Sequence, residues 1–82
     1  MNMCLVGTSE CLGTPIEYLL VSDVLEEGAE SYGVMVRLGD EEELIPNVSS
    51  SKDSVQRLLD AMMAGAVSPV SAKDVVEDWI LQ

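Results

Sequence analysis

The spacing of apolar residues changes once along this chain, near Asn47, and that change limits the possible folds more than any other feature. Before Asn47, apolar and polar residues alternate in segments of strand length. After it, apolar residues recur every three to four positions, which is the spacing of a helix face. Strands followed by helices predict an α+β domain: a small antiparallel sheet of three to four strands, with two C-terminal helices packed on one face.

Eighty-two residues are enough for one domain and too few for two. We expect that single domain over residues 15–82. Residues 1–14 form an N-terminal segment that holds at most a short strand, over residues 3–6, which Gly7 would end. Because a domain of this size builds only a small core, self-association is an expected source of stability.

The sheet is expected over residues 15–48. Its clearest strand is predicted by the alternation from Tyr32 to Leu38. A short strand over Glu43–Ile45 is followed by Pro46, which indicates a sheet edge or a strand end because proline has no N–H to donate. An earlier strand would place three apolar side chains on one face: Ile16, Tyr18 and Leu20.

Helices are expected over about 51–64 and 72–81. Ser49, Ser50 and Ser51 all offer N-cap hydroxyls for the first helix, and Ser50 with Asp53 resembles a capping box. Gly65 would end this helix in the left-handed conformation. Ser71 is the predicted N-cap of the second helix. The predicted buried faces are the apolar stripes of the two helices: Val55, Leu58, Leu59, Met62 and Met63 in the first, and Val75, Val76, Trp79 and Ile80 in the second.

The charge of the chain is strongly acidic, with 15 Asp and Glu, 4 Lys and Arg, and a net charge of −11. Nucleic acid is excluded as a partner because binding to phosphates depends on clustered cations. Anionic membrane surfaces are disfavoured for the same reason. The sequence has no secretory signal and no apolar run of membrane-spanning length, so we expect a cytoplasmic protein.

The chain contains no His, which removes the common Ser-His and Cys-His nucleophile pairs and the usual zinc sites. Ser49 to Lys52 match the Ser-x-x-Lys pattern of penicillin-recognising enzymes, but the companion motifs are missing and helix capping accounts for the serines. Cys4 and Cys11 are expected to be reduced, partly buried thiols. We therefore predict no catalytic residues, no cofactor, no metal site and no enzyme activity.

One group of residues in the second helix stands out as a possible partner surface: Asp74, Glu77, Asp78 and Trp79. Asp74 and Asp78 are four residues apart and so present neighbouring carboxylates on one helix face. The competing interpretation is a solvated acidic face, with Trp79 packed into the core. The acidic run Asp40–Glu43 lacks the ligand pattern of a calcium loop and is expected to be a solvated hairpin tip.

Three stretches, in this order, resemble a family of short uncharacterised proteins from Firmicutes, of clostridial type, known only as a domain of unknown function. They are Tyr32-Gly33-Val34, then Val48 to Val55 with Leu58-Leu59, and finally Val67 to Val70 through Asp74 to Trp79. The resemblance covers about residues 16–82 and leaves out the N-terminal segment. It implies a bacterial, cytoplasmic, single-domain protein with no assigned activity and no catalytic residues.

These observations favour a non-enzymatic protein–protein interaction domain that forms a homodimer and whose acidic face meets a basic partner protein. The first alternative is a small-ligand or metal-binding domain that uses a groove between sheet and helices, with the same carboxylates. The second alternative is an acidic mimic of nucleic acid, which only the charge supports.

Overall fold

The computed structural model of the chain describes residues 1–81. Its strands pair in chain order, β1-β2-β3-β4, and every pair is antiparallel, so β1 and β4 are the edges of the sheet. The predicted α+β fold, a four-stranded sheet followed by two helices, is confirmed. The elements are β1 (Asn2–Cys11), β2 (Thr14–Val24), β3 (Glu30–Leu38), β4 (Glu41–Ser49), α1 (Lys52–Ala64) and α2 (Pro69–Ile80).

The core lies between the helices and one face of the sheet, here called the inner face. The apolar stripe of α1 is buried as predicted, except that Met63 is only partly covered. Tyr18 is fully buried, and its hydroxyl donates a hydrogen bond of 2.7 Å to the carbonyl oxygen of Val67, in the α1–α2 connection. The inner face contributes five buried side chains to this core: Ile16, Tyr18, Leu20, Val34 and Val36.

The first strand is much longer than the predicted segment 3–6. It pairs with β2 from Asn2 to Cys11, with a bulge at Val6. Gly7 does not end the strand: a Cβ atom added there would lie 2.6 Å from Sδ of Met63. The glycine therefore lets α1 approach the sheet closely, which strand-length rules do not predict.

Helix α1 ends at Ala64, as predicted, and begins at Lys52, one residue later than predicted, whereas the predicted caps differ. Ser51 is the N-cap, and its side chain accepts a hydrogen bond from the backbone N–H of Ser54. Gly65 has φ −92° and is not left-handed. The left-handed residue is Ala66, with φ 48°.

The second helix begins at Pro69, three residues before the predicted start. Pro69 is the first helical residue, where its fixed φ suits the helix and its missing N–H has no cost. Ser68, and not Ser71, is therefore the N-cap, without a side-chain hydrogen bond. Pro69 and Ala72 join Val76 on the buried face. Val75 and Trp79 are only half-buried and Ile80 is exposed, which corrects the predicted stripe.

The last strand, β4, runs well beyond Glu43–Ile45. Glu41 to Glu43 belong to the strand, so only Asp40 of the acidic run lies in the turn. The prediction that the whole run forms a hairpin tip is therefore wrong. A wide irregularity follows, because Val34 pairs with Ile45 whereas Tyr32 pairs with Ser49.

Candidate interaction surfaces and cleft

The face of the sheet that points away from the helices, here called the open face, carries an apolar row across all four strands. Residues directly opposite each other in an antiparallel sheet share a face. The register places four large apolar side chains in line: Leu5, Leu19, Met35 and Leu44. Leu19 and Met35, in the central strands, are each 7% exposed, whereas the edge members Leu5 and Leu44 are exposed.

A second row on the open face is formed by Met3, Val21 and Gly33. A Cβ atom on Gly33 would lie 2.3 Å from the carbonyl oxygen of Ile45 and 2.7 Å from Cα of Pro46. The irregular part of β4 therefore lies directly over Gly33, beside Val21. Val21 forms one buried cluster with Leu19 and Met35, separate from the main core.

A polar row borders this apolar surface. Nε of Arg37 donates a hydrogen bond of 2.8 Å to a carboxylate oxygen of Glu17, and Glu42 lies opposite Arg37 in the register. The hydrogen bond and the negative charge of Glu17 raise the pKa of Arg37, with a smaller contribution from Glu42. One cation thus offsets part of the acidic charge beside the apolar rows.

A cleft of about 680 Å³ opens on the inner face, beyond the first turn of α1. The N-terminal half of β1 forms one wall, and Lys52 and Gln56 of α1 line the cleft from the helix side. At the rim of the cleft, Tyr32 donates a hydrogen bond to Glu30. This hydrogen bond is the largest cause of the raised pKa of Tyr32, followed by partial burial and by the charge of Glu30. The cleft therefore combines apolar walls with a lysine, a phenol and carboxylates.

The predicted carboxylates of α2 lie elsewhere. Asp74, Glu77 and Asp78 are all exposed, and within the described chain none has a basic group within 4.0 Å. Trp79 is half-buried and packs against the main core. The structure thus keeps the three carboxylates on an outer surface of α2 and does not bring them into the cleft, whose carboxylates are Asp23 and Glu30.

The acidic run of β4 lies close to the start of α2. A shallow depression of about 380 Å³ is lined by Asp40 to Glu43 together with Pro69 and Val70. In residues 1–81, no three His, Cys, Asp or Glu side chains come together in a way that suits a metal ion. No helix in the same range is long and apolar enough to cross a membrane.

Both cysteines are free thiols. Cys4 lies on the inner side of β1, at the cleft, and is exposed, so the expectation of partial burial is wrong for this residue. Cys11 is half-buried, as predicted. Burial raises the pKa of Tyr18, and the electrostatic effect of the nearby Cys11 adds a smaller contribution.

The profile of a family of unknown function, DUF6514, matches residues 4–82. The chain belongs to DUF6514. This membership confirms the resemblance to a family without an assigned activity. The DUF6514 match includes Cys4 and Cys11, so the expectation that the N-terminal segment lies outside the family is wrong. No curated protein and no solved structure is significantly similar to this DUF6514 chain.

The open face is the feature that the sequence analysis missed. Its residues were available in two uninterrupted apolar runs, Tyr18 to Val21 and Val34 to Val36. A strand with water on one face alternates, whereas an unbroken apolar run is typical of a strand covered on both faces. The alternation of Ile16, Tyr18 and Leu20 accounts for the inner face of β2 and leaves Leu19 and Val21 unexplained.

Proposed function

We propose that this chain is a non-enzymatic protein–protein interaction domain whose main docking surface is the open face of the sheet. The observation that carries the proposal is the apolar row of Leu5, Leu19, Met35 and Leu44. An antiparallel sheet with one face in water usually presents polar side chains there. Here the two ends of the row, Leu5 and Leu44, are exposed apolar groups beside a polar border, and exposed apolar groups bordered in this way are typical of an interaction site.

The size of the sheet suits a small interface. Four strands spaced at about 4.8 Å and roughly 30 Å long cover on the order of 600 Å². Specific complexes commonly bury about 800 Å² on each partner, so the open face alone lies near the lower end of that range. A partner that also contacts the surrounding strand edges would reach the usual size.

The exposed carboxylates of α2 form a second part of the proposal. These residues, Asp74, Glu77 and Asp78, would attract a basic partner protein, because a cluster of negative surface charges steers the approach of a positively charged protein. Trp79, on the same helix, packs against the core and so holds α2 against the rest of the domain. The proposal places the protein in the cytoplasm of a Firmicutes bacterium, as its resemblance to clostridial-type proteins implies.

Quantitative cross-linking and capture from the protein's own cells tests both surfaces. Leu44→Thr removes an exposed apolar group from the open face, and Leu81→Thr makes the same change at an exposed position beyond α2. A third variant combines Asp74→Asn with Asp78→Asn. We expect Leu44→Thr to lose partners that the wild type and Leu81→Thr retain.

The outcomes separate the two surfaces. Partners lost only from the double Asp→Asn variant would move the docking site to α2 and remove the open face from the proposal. An identical set of partners for all three variants and the wild type would reject both surfaces. Circular dichroism of each variant verifies that the fold is unchanged.

The cleft supports a second candidate function, the binding of a small polar ligand. Its volume is in the range of ligand pockets, about 300–1,000 Å³, and it offers Lys52, Tyr32 and Gln56 as polar contacts. Native mass spectrometry of untagged protein from its own cells measures any retained mass. A retained small molecule that is lost in Lys52→Met would support this function, and a bare chain would argue against it.

A further inference from the structure

The first five residues are unusually uncovered for a segment that belongs mainly to a strand. Every residue from Met1 to Leu5 is exposed, although β1 pairs with β2 along this segment. Met1, Met3 and Leu5 are 61%, 45% and 52% exposed. The open face lies on one side of the segment and the cleft on the other, so its two faces and its outer edge are all free.

The two edges of the sheet differ in how they resist pairing with another strand. Edge strands are normally protected by charges, proline or bulges. The β4 edge has all three: Glu41 to Glu43, Pro46, and the irregular segment around Asn47, whose φ is 55°. The β1 edge has a charged residue, Glu10, and a bulge at Val6, but its first four residues, Asn2 to Leu5, have no charged side chain, no proline and no bulge. Strand addition is therefore open at Asn2 to Leu5 of β1 and blocked at β4.

The charge distribution favours one occupant for this edge. Of the 15 acidic residues, only Glu10 lies among the first 16 positions, and the other 14 follow. A second copy carries the same charge of −11 and would be repelled by the acidic parts of the chain. At Asn2 to Leu5 it meets side chains without charge, of which Met3 and Leu5 are apolar and exposed. A basic partner would instead be attracted to the acidic surfaces. The edge segment without charged side chains therefore favours a second copy of this chain.

We propose that two copies pair through their β1 edges, antiparallel and related by a two-fold axis, to form one continuous eight-stranded sheet. An isologous contact of this kind uses the same residues from both copies. The inference goes beyond the proposed function, because it depends only on the exposure and charge of the β1 edge. The apolar rows of the two copies then join into one larger surface.

Matching of apolar side chains sets the register. Met3 and Leu5 both point to the open face, because they lie opposite Val21 and Leu19. Placing Met3 of one copy opposite Leu5 of the other pairs both apolar groups and puts Cys4 opposite its own symmetry mate. The bulge at Val6 ends the matched segment. Opposite residues in an antiparallel pair have Cα atoms about 4.5–5.5 Å apart, which lies within the range of a disulfide.

Sedimentation equilibrium of the full chain measures the association. We expect the wild type to have twice the 8.8 kDa mass of the single chain. Leu5→Glu places a carboxylate in the contact and should weaken dimerisation at least about tenfold by like-charge repulsion and desolvation. The matched control Leu81→Glu makes the same change at an exposed position away from β1 and should remain dimeric.

Mild oxidation tests the register without disturbing the strand. A Cys11→Ser variant keeps Cys4 as its only thiol and should form a covalent dimer rapidly. A control with both native cysteines changed to Ser and with Val24→Cys carries one exposed thiol at the end of β2, and it should cross-link only slowly, through random collisions.

Three results would overturn the dimer: a monomeric wild type at about 100 µM, an unchanged dimer in Leu5→Glu, or equal cross-linking rates for the two single-thiol proteins. Leu44→Thr separates this inference from the proposed function, because Leu44 lies on β4, at the opposite edge from β1. A monomer that still loses its partners in Leu44→Thr would refute the dimer alone. A dimer whose partners are indifferent to Leu44→Thr and to the α2 changes would refute the proposed docking surfaces and leave the dimer standing.

Discussion

The hydrogen bond from Tyr18 to Val67 is the most informative single contact to remove, because it joins the centre of the sheet to the connection between the helices. Tyr18→Phe keeps the buried ring and deletes only the hydroxyl group. A neutral hydrogen bond contributes about 1 kcal/mol net, and the partly buried Val67 carbonyl loses its donor, so the expected loss in the free energy of unfolding is about 1–2 kcal/mol.

Urea and thermal unfolding measure that loss. For a domain of this size, 1 kcal/mol corresponds to about 4–8 °C in Tm, so Tyr18→Phe should lower Tm by roughly 5–15 °C. The urea dependence should keep its slope, since the surface exposed on unfolding is unchanged.

Tyr32→Phe is the matched control, because its hydroxyl bonds to Glu30 only two residues away and on the exposed surface. We expect it to cost less than about 0.5 kcal/mol. A loss of stability in Tyr18→Phe no larger than that in Tyr32→Phe would contradict the expectation. That result would mean that water replaces the hydrogen bond to Val67, and that the sheet and the helix connection are held together by apolar packing alone.

Two further predictions concern stability. Gly33→Ala should lower the free energy of unfolding by about 2–3 kcal/mol, because the added Cβ would overlap the backbone of β4. Gly7→Ala should lower it by about 1 kcal/mol or less, because the flexible side chain of Met63 can move aside. Urea titrations of both variants measure these losses, and equal losses would contradict the distinction between the two glycines. Burial raises the pKa of Tyr18, so its contribution to stability is present below pH 10 and is lost as the pH rises through the higher folded-state pKa. The stability difference between wild type and Tyr18→Phe should therefore narrow above pH 10, and a difference that widens there would contradict the assigned sign.

The sequence was sufficient for the class of fold and for most of the main core. Periodicity predicts the inner face of β2 and β3 and the stripe of α1, because those side chains pack on one side only. The residues that mark the ends of helices predicted the helix boundaries less well. Ser71 is the predicted N-cap of α2, yet the helix begins at Pro69, which is buried, and burial of that residue is a tertiary contact.

The parts that could not be predicted are set by contacts between distant segments. The bulge at Val6 and the irregularity after Ile45 lie beside two such contacts: Met63 packs close to Gly7, and the β4 backbone packs close to Gly33. Neither glycine is distinguished in the sequence from one that ends a strand. The unbroken apolar run through Leu19 could in principle have indicated an apolar open face, because such a run is typical of a strand covered on both faces. That inference is difficult from the sequence, since the chain has enough helices to cover only one face of the sheet.

The acidic charge gives the two proposed contacts opposite responses to salt. Pairing of two copies brings together chains of charge −11, so raising the salt concentration screens their repulsion and should strengthen the dimer. Binding of a basic partner by Asp74, Glu77 and Asp78 depends on attraction, so the same change should weaken it. Sedimentation and capture at about 50 and 300 mM salt compare the two directly. A dimer that dissociates as salt rises would show that charged groups hold it together, which is incompatible with a contact made by the uncharged side chains of Asn2 to Leu5.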